Sequence, residues 1–523
     1  MFEGGDYGVG VTVTPLVAAP WPADLTPPGV TSHPARLGEL LPVASRTDDE
    51  LAAELQRVVR LESMLAAYKA ELVTTFADRR PLTLDRSPDD PGAASPGWPP
   101  APGQEAPAGV SEFFADELAL VLNCSRAGAT TLADHSMTLL NRLPATWAAL
   151  ADGELDWPRA RGLAEELGWP ARGTDPQIVA EVEAAVLPTA ARLSVKGLRA
   201  AARRELLRRD AAAADRCRER AERLADVTVR PAGDGMAELT AFLPQPLAAA
   251  CRETVDAYAR LAKQDGDPRP IGQLRAGVLT DLILRPWDTS RPPVTAHLTV
   301  VAPLPALSDD AATGAETADV EGQPITIGHV RALLEQLDTL CPGGLQAPTG
   351  GTLRIALVDP VTGRLRATTG RPELERIARR GCATHGPSAE CSCPVLDRPP
   401  PVDRYTPTPA QRRFVRTRDR TCRHPGCHGR AAWADLDHVV PHANDGPTDC
   451  SNLCCLCRRH HRLKTHAPGW RFAMSDDGVL TVTTPSGVTR ITSPPWLDVD
   501  GLPAHLLPPS PPGSPVEDDP PPF

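Results

Sequence analysis

The stretch from Cys422 to His466, CRHPGCHGRAAWADLDHVVPHANDGPTDCSNLCCLCRRHHRLKTH, decides how the whole chain is interpreted. It holds six of the thirteen cysteines and seven of the thirteen histidines of a 523-residue chain. Cysteines clustered at such short spacings, in a chain that we expect to be cytoplasmic, are typical of metal ligands rather than of disulfides. Cys422 and Cys427 form one half-site for zinc, and Cys457 and His460, one helical turn apart, form another.

A competing half-site is present, because Cys454 and Cys457 are also separated by two residues. Spacing alone therefore leaves two zinc sites open. The reason to expect a metal is physical. A unit of about 60 residues with two strands and one helix buries too little apolar surface to fold firmly by itself. A tetrahedral zinc ion would act as its staple.

Further pairs in this stretch resemble the HNH (ββα-metal) endonuclease module, of the type stabilised by zinc. The matching residues, in chain order, are Asp437-His438, Pro441, Gly446, Asn452-Leu453, Leu456-Cys457, His460-His461 and Lys464. The pattern of that family, followed from Asn452, implies that Cys457 and His460, rather than Cys454, complete the structural zinc site with Cys422 and Cys427. The other cysteines of the stretch would then be thiols of the core or of the surroundings of the zinc.

The resemblance also implies a catalytic site made of four other residues. Asp437 and His461 would bind a catalytic Mg²⁺ or Mn²⁺, because a carboxylate, an imidazole and waters form a hard, open ligand set. His438 would be the general base, since an imidazole pKa of about 6.5 lies near working pH. Asn452 would hold the loop that positions His438, through side-chain hydrogen bonds to the backbone. The reaction would leave 5′-phosphate and 3′-hydroxyl ends.

Two geometric expectations follow from these assignments. Adjacent residues of a strand face opposite sides, so Asp437 and His438 need a twisted or bulged strand to serve one phosphate. His460 and His461 differ by about 100° around a helix, so they can serve two different metals.

The remaining acids and histidines of the stretch have weaker assignments. Asp435 is an alternative or supporting metal ligand. His466 lies one residue beyond the helical i+4 position from His461, so either His466 or a water would complete the catalytic metal's ligands. Three histidines have no assigned role and are expected on the surface: His424, His428 and His442.

The positive charge of the chain is concentrated around this stretch. The net charge is −11, but residues 405–470 contain 11 Lys and Arg against 5 Asp and Glu, a net of +6, which leaves −11 − 6 = −17 for the rest. One basic module on an acidic body is the pattern expected when a single domain contacts DNA phosphates. The residues expected to hold the phosphate backbone, without reading its sequence, are Arg458, Arg459, Arg462 and Lys464.

The residues leave other interpretations open. In a zinc-ribbon-like structural module, Asp437 and His438 would only cap a strand. A non-cleaving, zinc-dependent DNA-binding or regulatory protein would bind DNA in a salt-sensitive way without turnover. A mobile-element-associated interaction scaffold would instead use the N-terminal helical region as its working part, with a protein partner or a second copy of the chain bound there.

The rest of the chain predicts several domains. Its 58 prolines are roughly twice the average share of about 5% and mark linkers. The predicted fold class is multidomain: a mainly α N-terminal region with short β-hairpins, then a zinc-stapled ββα-metal module and a small β-meander. The boundaries are a low-order N-terminus over 1–46, a mainly helical domain of unknown function over 47–300 with a Pro-rich insertion at 80–109, a connector of helices and strands over 301–404, the nuclease module over 405–470, the meander over 471–495 and a disordered Pro-rich tail over 496–523.

Apolar periodicity and helix caps predict the individual elements. A helix beginning at Thr47 carries an apolar stripe that includes Leu55 and Leu65. The other predicted helices cover 111–124, 126–142, 156–168, 175–190, 194–224, 244–264, 271–285 and 329–338. Hairpins are predicted at 226–243 and 352–369, and a strand at 295–301. This arrangement resembles actinobacterial proteins that join a helical domain of unknown function to an HNH module, a resemblance that names no activity.

Two last expectations concern another metal and the compartment. The cluster Cys382, His385, Cys391 and Cys393 would bind a second zinc or remain as reduced loop thiols. No run of about 18 apolar residues occurs, so no membrane-spanning helix is expected. The N-terminus lacks the basic region of a signal peptide, which predicts a cytoplasmic protein.

Overall fold

The structure is a computed structural model that describes residues 43–87, 90, 107–168, 171–210, 212, 219, 222, 225–233, 236–284, 300–301, 317–320, 323–336, 340–341, 344–346, 354–359, 362–380 and 397–495. Several predictions fall outside these residues: the cluster at 382–393, most of the N-terminal segment and of the Pro-rich insertion, most of 211–224, and the Pro-rich tail. Among the helices described, none combines the length and the apolar character that crossing a membrane requires.

The first element, helix α1 (Asp48–Asp78), begins at the predicted cap. Thr47 and Glu50 form a capping box, in which each side chain accepts a hydrogen bond from the other's backbone N–H. The apolar stripe of the helix is not its packing face, since Leu55 and Leu65 are each 66% exposed. Its buried residues are smaller: Ser63, Ala67, Ala70, Val73, Thr74 and Ala77. Such side chains let the neighbouring helices approach closely.

Six further helices complete a bundle: α2 (Phe114–Leu122), α3 (Arg126–Arg142), α4 (Pro144–Ala151), α5 (Trp157–Leu167), α6 (Pro176–Ala190) and α7 (Val195–Arg209). The side chains of Ser125, Asp156, Asp175 and Ser194 cap α3, α5, α6 and α7. Each accepts a backbone N–H that has no partner within its helix. The core of the bundle contains fully buried leucines and valines such as Leu163 and Val182.

The predicted helices over 111–124, 126–142, 156–168 and 175–190 are confirmed to within three residues at each end. The helix predicted over 194–224 is confirmed as far as Arg209, and most of the segment beyond it is not described. Helix α4 was not predicted. Its eight residues, PATWAALA, are too few for an apolar period to stand out, and it begins at Pro144, whose fixed φ suits a first helical position.

Short sheets and four more helices follow the bundle. They are β1 (Asp226–Gly233), β2 (Met236–Phe242), α8 (Gln245–Gln264), α9 (Ile271–Leu284), β3 (Val300–Val301), β4 (Thr317–Val320), β5 (Gln323–Thr326), α10 (Ile327–Gln336), β6 (Leu340–Cys341), β7 (Gly344–Leu345), β8 (Ile355–Val358), β9 (Leu365–Thr369) and α11 (Arg371–Arg380). All described pairings are antiparallel: β1–β2, β3–β4–β5, β6–β7 and β8–β9. Both predicted hairpins are confirmed, whereas α11 was not predicted.

The C-terminal unit consists of α12 (Pro409–Asp419), β10 (Asp435–His438), β11 (Leu453–Leu456), α13 (Arg458–His466), β12 (Arg471–Met474), β13 (Leu480–Thr483) and β14 (Thr489–Thr492). Strands β10 and β11 pair antiparallel and α13 packs on both, which gives the predicted two strands and one helix. The predicted meander is also confirmed. Its two turns place Gly478 and Gly487 at φ +85° and +88°, a region that favours glycine.

A buried charge pair holds α12 against β11. The Arg418 guanidinium donates to the backbone carbonyls of Cys450 and Leu453, both at 2.6 Å, and to Asp419 Oδ1 at 2.8 Å. Asp419 Oδ2 in turn accepts the Cys455 backbone N–H at 2.8 Å. Because every contact is a charge-assisted hydrogen bond in the interior, the pair fixes the position of β11 and of the chain leading into it.

The helical bundle and the C-terminal unit share an apolar core. Leu120 of α2 packs in one cluster with Val439, Leu456 and Val482. Its backbone carbonyl also accepts a hydrogen bond from Arg490 Nε at 3.0 Å. The predicted domain boundaries therefore separate stretches of sequence that pack together in the fold.

The bundle core yields a first prediction. Replacing Leu163, which is fully buried, with alanine should lower the free energy of unfolding by about 2–5 kcal/mol, because the change removes buried methyl groups and leaves a cavity. Urea denaturation followed by circular dichroism measures this. The matched control, Leu55→Ala, alters a leucine that is 66% exposed and should leave the midpoint nearly unchanged. Equal effects of both changes would contradict the packing described here.

Candidate metal centre and the neighbouring acid–histidine site

Three cysteines and one histidine converge at the N-terminal end of α13. The ligand atoms of Cys422, Cys427, Cys457 and His460 all lie within 4.8 Å of one another. Cys457 is the N-cap residue of α13 and His460 lies one turn later, while Cys422 and Cys427 come from the loop after α12. Gly426, at φ +75°, lets that loop turn back on itself. The predicted zinc ligands are therefore brought together, and they form a candidate metal-binding site.

The chemistry of this cluster fits zinc. His460 Nδ1 lies 3.4 Å from Cys422 Sγ and 3.2 Å from Cys457 Sγ, so that nitrogen faces the sulfurs. Hydrogen bonds with Cys427 and Cys457 raise the pKa of the Cys422 thiol, whereas hydrogen bonds with Cys422 and Cys427 lower the pKa of Cys457. Thiols this close cannot all ionise without a cation, because like charges disfavour each other. Three thiolates and an imidazole are a standard tetrahedral set for structural zinc.

The competing half-site is not used. Cys454 lies on β11 opposite Asp437, is fully buried, and does not belong to the cluster of ligand atoms. Burial raises the pKa of its thiol, as expected for a cysteine of the core.

One residue beside the cluster was misjudged from the sequence. His424 was expected on the surface, but it is 3% exposed and its ring stacks on that of His460, with centroids 3.9 Å apart and planes 5° apart. Burial and the neighbouring His460 lower its pKa to about 3. A neutral imidazole here stacks flat against the candidate metal ligand. No period or spacing in the sequence marks that role.

The other nitrogen of His460 meets a residue from the helical bundle. Asp116 of α2 lies with Oδ1 3.1 Å from His460 Nε2, and it also pairs with Arg126 and Arg459. Burial opposes ionisation, but Arg459, His460 and Arg126 hold the pKa of Asp116 well below its usual range. Sequence reasoning missed Asp116. The available signal was an acidic pair within an otherwise apolar helix, FADELALVL.

A second set of side chains lies on the outer side of α13. Asp437 Oδ1 is 3.4 Å from His461 Nε2, while His461 Nδ1 is 2.9 Å from Asp435 Oδ2. The second oxygen of Asp437 lies 2.9 Å from Lys464 Nζ. His461 therefore sits between two carboxylates and apart from the cysteine cluster, as the angle between adjacent helical residues predicted.

His438 is directed to a different environment. Its Nε2 is 2.9 Å from the Thr448 hydroxyl, and its ring stacks with Tyr405 and His442 at centroid distances of 5.3 and 5.6 Å. Burial lowers its pKa, and the Asp437 carboxylate opposes that shift. The pairing of β10 with β11 is regular through both residues, so of the two expected distortions, a twist or a bulge, the bulge is absent. Asp437 and His438 consequently face opposite sides of the strand.

Asn452 makes the backbone contacts predicted for it. Its Oδ1 accepts the Val440 N–H at 2.9 Å, and its Nδ2 donates to the carbonyls of Val440 and Pro447, both at 3.0 Å. These three bonds close the loop that follows His438. Gly446 belongs to the same loop, where a Cβ atom would lie 1.9 Å from the Val440 carbonyl oxygen, so no other residue fits that position.

The four basic residues predicted to hold DNA differ in their surroundings. The side chain of Arg458 is 81% exposed, and its Nη1 lies 3.4 Å from Asp435 Oδ2. Arg459 pairs with Asp116, Arg462 with Glu112, and Lys464 with Asp437 and the His438 carbonyl. Phosphate contact by these last three would require intramolecular pairs to break, because each of them faces inward.

Comparisons with known proteins match two parts of the sequence to other proteins. Residues 101–339, which include α2 to α10, match the family described as Domain of unknown function (DUF222). A stretch of 90 residues is 48% identical to Uncharacterized protein Rv3776 and to Uncharacterized protein Rv2100, both of Mycobacterium tuberculosis (strain ATCC 25618 / H37Rv). That stretch is 17% of this chain and 17% and 16% of those relatives, so the similarity covers under a fifth of each. No solved structure matches the chain.

The cysteine cluster yields a prediction on metal content. Cys457→Ser should lose one equivalent of zinc per chain and lower the thermal stability of the C-terminal unit, because a small unit depends on its metal for folding. Metal analysis by mass spectrometry of the purified full-length chain measures this. Cys454→Ala is the matched control, since it removes a buried thiol from the adjacent strand and should keep the zinc equivalent. Loss of zinc from Cys454→Ala as well would favour the competing half-site of Cys454 and Cys457, and retention of zinc in Cys457→Ser would contradict both alternatives.

Proposed function

We propose that the C-terminal unit is a metal-dependent DNA endonuclease of the HNH (ββα-metal) type, which hydrolyses phosphodiester bonds to 5′-phosphate and 3′-hydroxyl ends. The observation that carries the proposal is the 3.4 Å approach of Asp437 Oδ1 to His461 Nε2, from a strand and a helix that flank a cysteine–histidine cluster. His438 directly follows Asp437. The match of residues 101–339 to a domain commonly associated with HNH proteins supports the same assignment.

The donor set of this site suits a hard divalent cation with open positions. Asp437 and His461 would hold Mg²⁺ or Mn²⁺, which when bound would supply positive charge beside the scissile phosphate. Two protein ligands leave room for oxygen atoms of the substrate and for water. Lys464, on the second oxygen of Asp437 at 2.9 Å, fixes the orientation of the carboxylate and leaves Oδ1 directed to His461.

Hydrolysis also needs a group that takes a proton from the attacking water. When His438 Nε2–H donates to the Thr448 hydroxyl, 2.9 Å away, Nδ1 is the nitrogen able to accept that proton. Lys464 donates to the His438 carbonyl at 2.7 Å and Asn452 closes the loop after it, so the backbone of the base is held on both sides. His438 is the last residue of β10. To meet both His438 and Asp437, which face opposite sides, one phosphate would have to lie across the end of the strand.

One observation favours a second candidate, a non-cleaving zinc-dependent DNA-binding or regulatory protein. Lys464 and His461 already contact the two oxygens of Asp437, so the Lys464 ammonium compensates this carboxylate without a metal ion. In that case the acid–histidine set would stabilise the strand and helix, and DNA binding would proceed without turnover. An interaction scaffold that works through the helical bundle is the third candidate, with a partner protein or a second copy of the chain bound there.

A plasmid assay separates cleavage from binding. Supercoiled plasmid incubated with the wild-type chain should be nicked with Mg²⁺ or Mn²⁺ and remain intact with EDTA. His438→Ala should lower the rate by at least about 100-fold, the lower range of general acid–base contributions. Zinc content is measured for each sample. His428→Ala is the matched control, because it removes an exposed histidine of the same unit and should retain full activity. Intact plasmid with a folded, zinc-loaded wild type would sink the nuclease proposal.

Phosphate contact can be tested apart from cleavage. In a His438→Ala background without added Mg²⁺, Arg458→Ala should weaken binding to unrelated DNA duplexes by a similar factor and reduce the salt slope by about 1, as expected for one lost phosphate contact. Fluorescence anisotropy at several salt concentrations measures both quantities. Arg208→Ala, a change to an exposed arginine of α7, is the control and should leave the slope unchanged. An unaltered slope in Arg458→Ala would remove this residue from the DNA surface.

A further inference from the structure

The carboxylate of Asp116 reaches the cysteine cluster from another part of the fold. It lies on α2, within the region that matches the domain of unknown function, and precedes His460 by 344 residues. Its Oδ1 is 3.1 Å from His460 Nε2, while Nδ1 of the same ring faces Cys422 and Cys457 at 3.4 and 3.2 Å. The two nitrogens of one imidazole therefore face the two halves of the protein.

The surroundings of Asp116 make this contact firm. The residue is 1% exposed, with Arg126 Nε at 3.1 Å and Arg459 Nη2 at 2.7 Å. A buried carboxylate is tolerated only with such partners, because removing a charge from water costs several kcal/mol per ion. Arg459 and His460 are consecutive residues of α13, so one carboxylate holds two adjacent side chains of the helix that carries two of the four candidate zinc ligands.

The arrangement matches the way in which proteins support metal-binding histidines. Such a histidine commonly donates its second ring N–H to a carboxylate, which fixes the tautomer and the orientation of the ring. A neutral imidazole has one N–H. When Asp116 accepts it at Nε2, the lone pair is left on Nδ1, the nitrogen that faces the sulfurs.

Other contacts place α2 firmly against the unit. Glu112, just ahead of α2, pairs with Arg462, and Glu117 Oε1 accepts the Ser486 backbone N–H at 3.0 Å. Leu120 adds the apolar part of the same surface. Of these α2 contacts, the Asp116 contact alone touches a candidate zinc ligand, so it is the link through which metal binding and docking can influence each other.

We propose that Asp116 is a positioning residue of the zinc centre, and that zinc binding and the docking of the helical bundle are thermodynamically coupled through the Asp116–His460 contact. Zinc bound at Nδ1 keeps the ring proton of His460 on Nε2, which donates it to Asp116. In turn, Asp116 holds the proton on Nε2 and so leaves the Nδ1 lone pair available to zinc. Because coupling is reciprocal, loss of zinc loosens α2, and loss of the carboxylate weakens zinc. The proposal depends on the zinc centre and not on nuclease activity.

Zinc affinity of the full-length chain tests the first half of the coupling. Competition with a chromophoric chelator should show Asp116→Ala binding zinc about 10–100-fold more weakly than wild type, the range known for removal of such partners. Asp116→Asn keeps the size of the side chain but loses its charge, so its zinc affinity should fall between those of wild type and Asp116→Ala. Glu112→Gln is the matched control, because it removes the charge that pairs with Arg462 and Arg459 in the same interface while leaving the Asp116–His460 contact in place, and it should bind zinc like wild type. Cys457→Ser supplies the baseline for any other zinc in the chain.

Hydrogen exchange tests the second half and needs no variant. Removal of zinc from the wild type should speed amide exchange in residues 114–122, and restoring zinc should reverse it. In the Asp116 variants, amide exchange in residues 114–122 should be fast even with zinc present, and it should change little when zinc is removed. The Co²⁺-substituted protein adds a spectroscopic readout, since a reoriented His460 should shift the ligand-field bands in Asp116→Asn but not in Glu112→Gln. The proposal is overturned if Asp116→Asn binds zinc as tightly as wild type, or if amide exchange in α2 of the wild type is the same with and without zinc.

Discussion

The fold depends on contacts made by both ring nitrogens of one histidine, His460. His460 turns Nδ1 to the sulfurs of Cys422 and Cys457 and Nε2 to the carboxylate of Asp116. A neutral imidazole carries a single N–H, so the partner on one side determines which atom is available on the other. This constraint ties the position of α2 to the geometry of the cysteine cluster, although the two are far apart in the chain.

Helix α13 is the shared element of both candidate sites. Cys457 and His460 face the cysteine cluster, whereas His461 and Lys464 face Asp437 on β10. A helix that is fixed along one face by a metal site presents its adjacent face with little freedom. Sites on rigid elements hold their geometry better than sites on loops. The cluster would therefore support the acid–histidine set mechanically without taking part in its chemistry.

Charge segregation along the chain has a second explanation in the structure. A basic C-terminal unit on an acidic body suggested DNA contact, and residues 405–470 do carry a net charge of +6. Yet Arg459 and Arg462 pair with Asp116 and Glu112 of the helical bundle. Part of the opposite charge on the two regions is thus used for their own docking, which net charge counted along a sequence cannot distinguish from attraction to a phosphate backbone.

The sequence by itself determined the local features. Caps, apolar periods and turn signals located most of the helices, two hairpins and the meander. Short spacings marked Cys422, Cys427 and two competing partner pairs, and the family resemblance chose Cys457 and His460, because these signals depend on residues close together in the chain. Only the tertiary structure decided the features that depend on contacts between distant parts of the chain. It excluded Cys454 from the cluster, buried His424 against a ligand, left the apolar stripe of α1 exposed, and brought Asp116 to His460. Such contacts follow from how separate elements pack, and packing of that kind leaves no period or spacing in a single sequence.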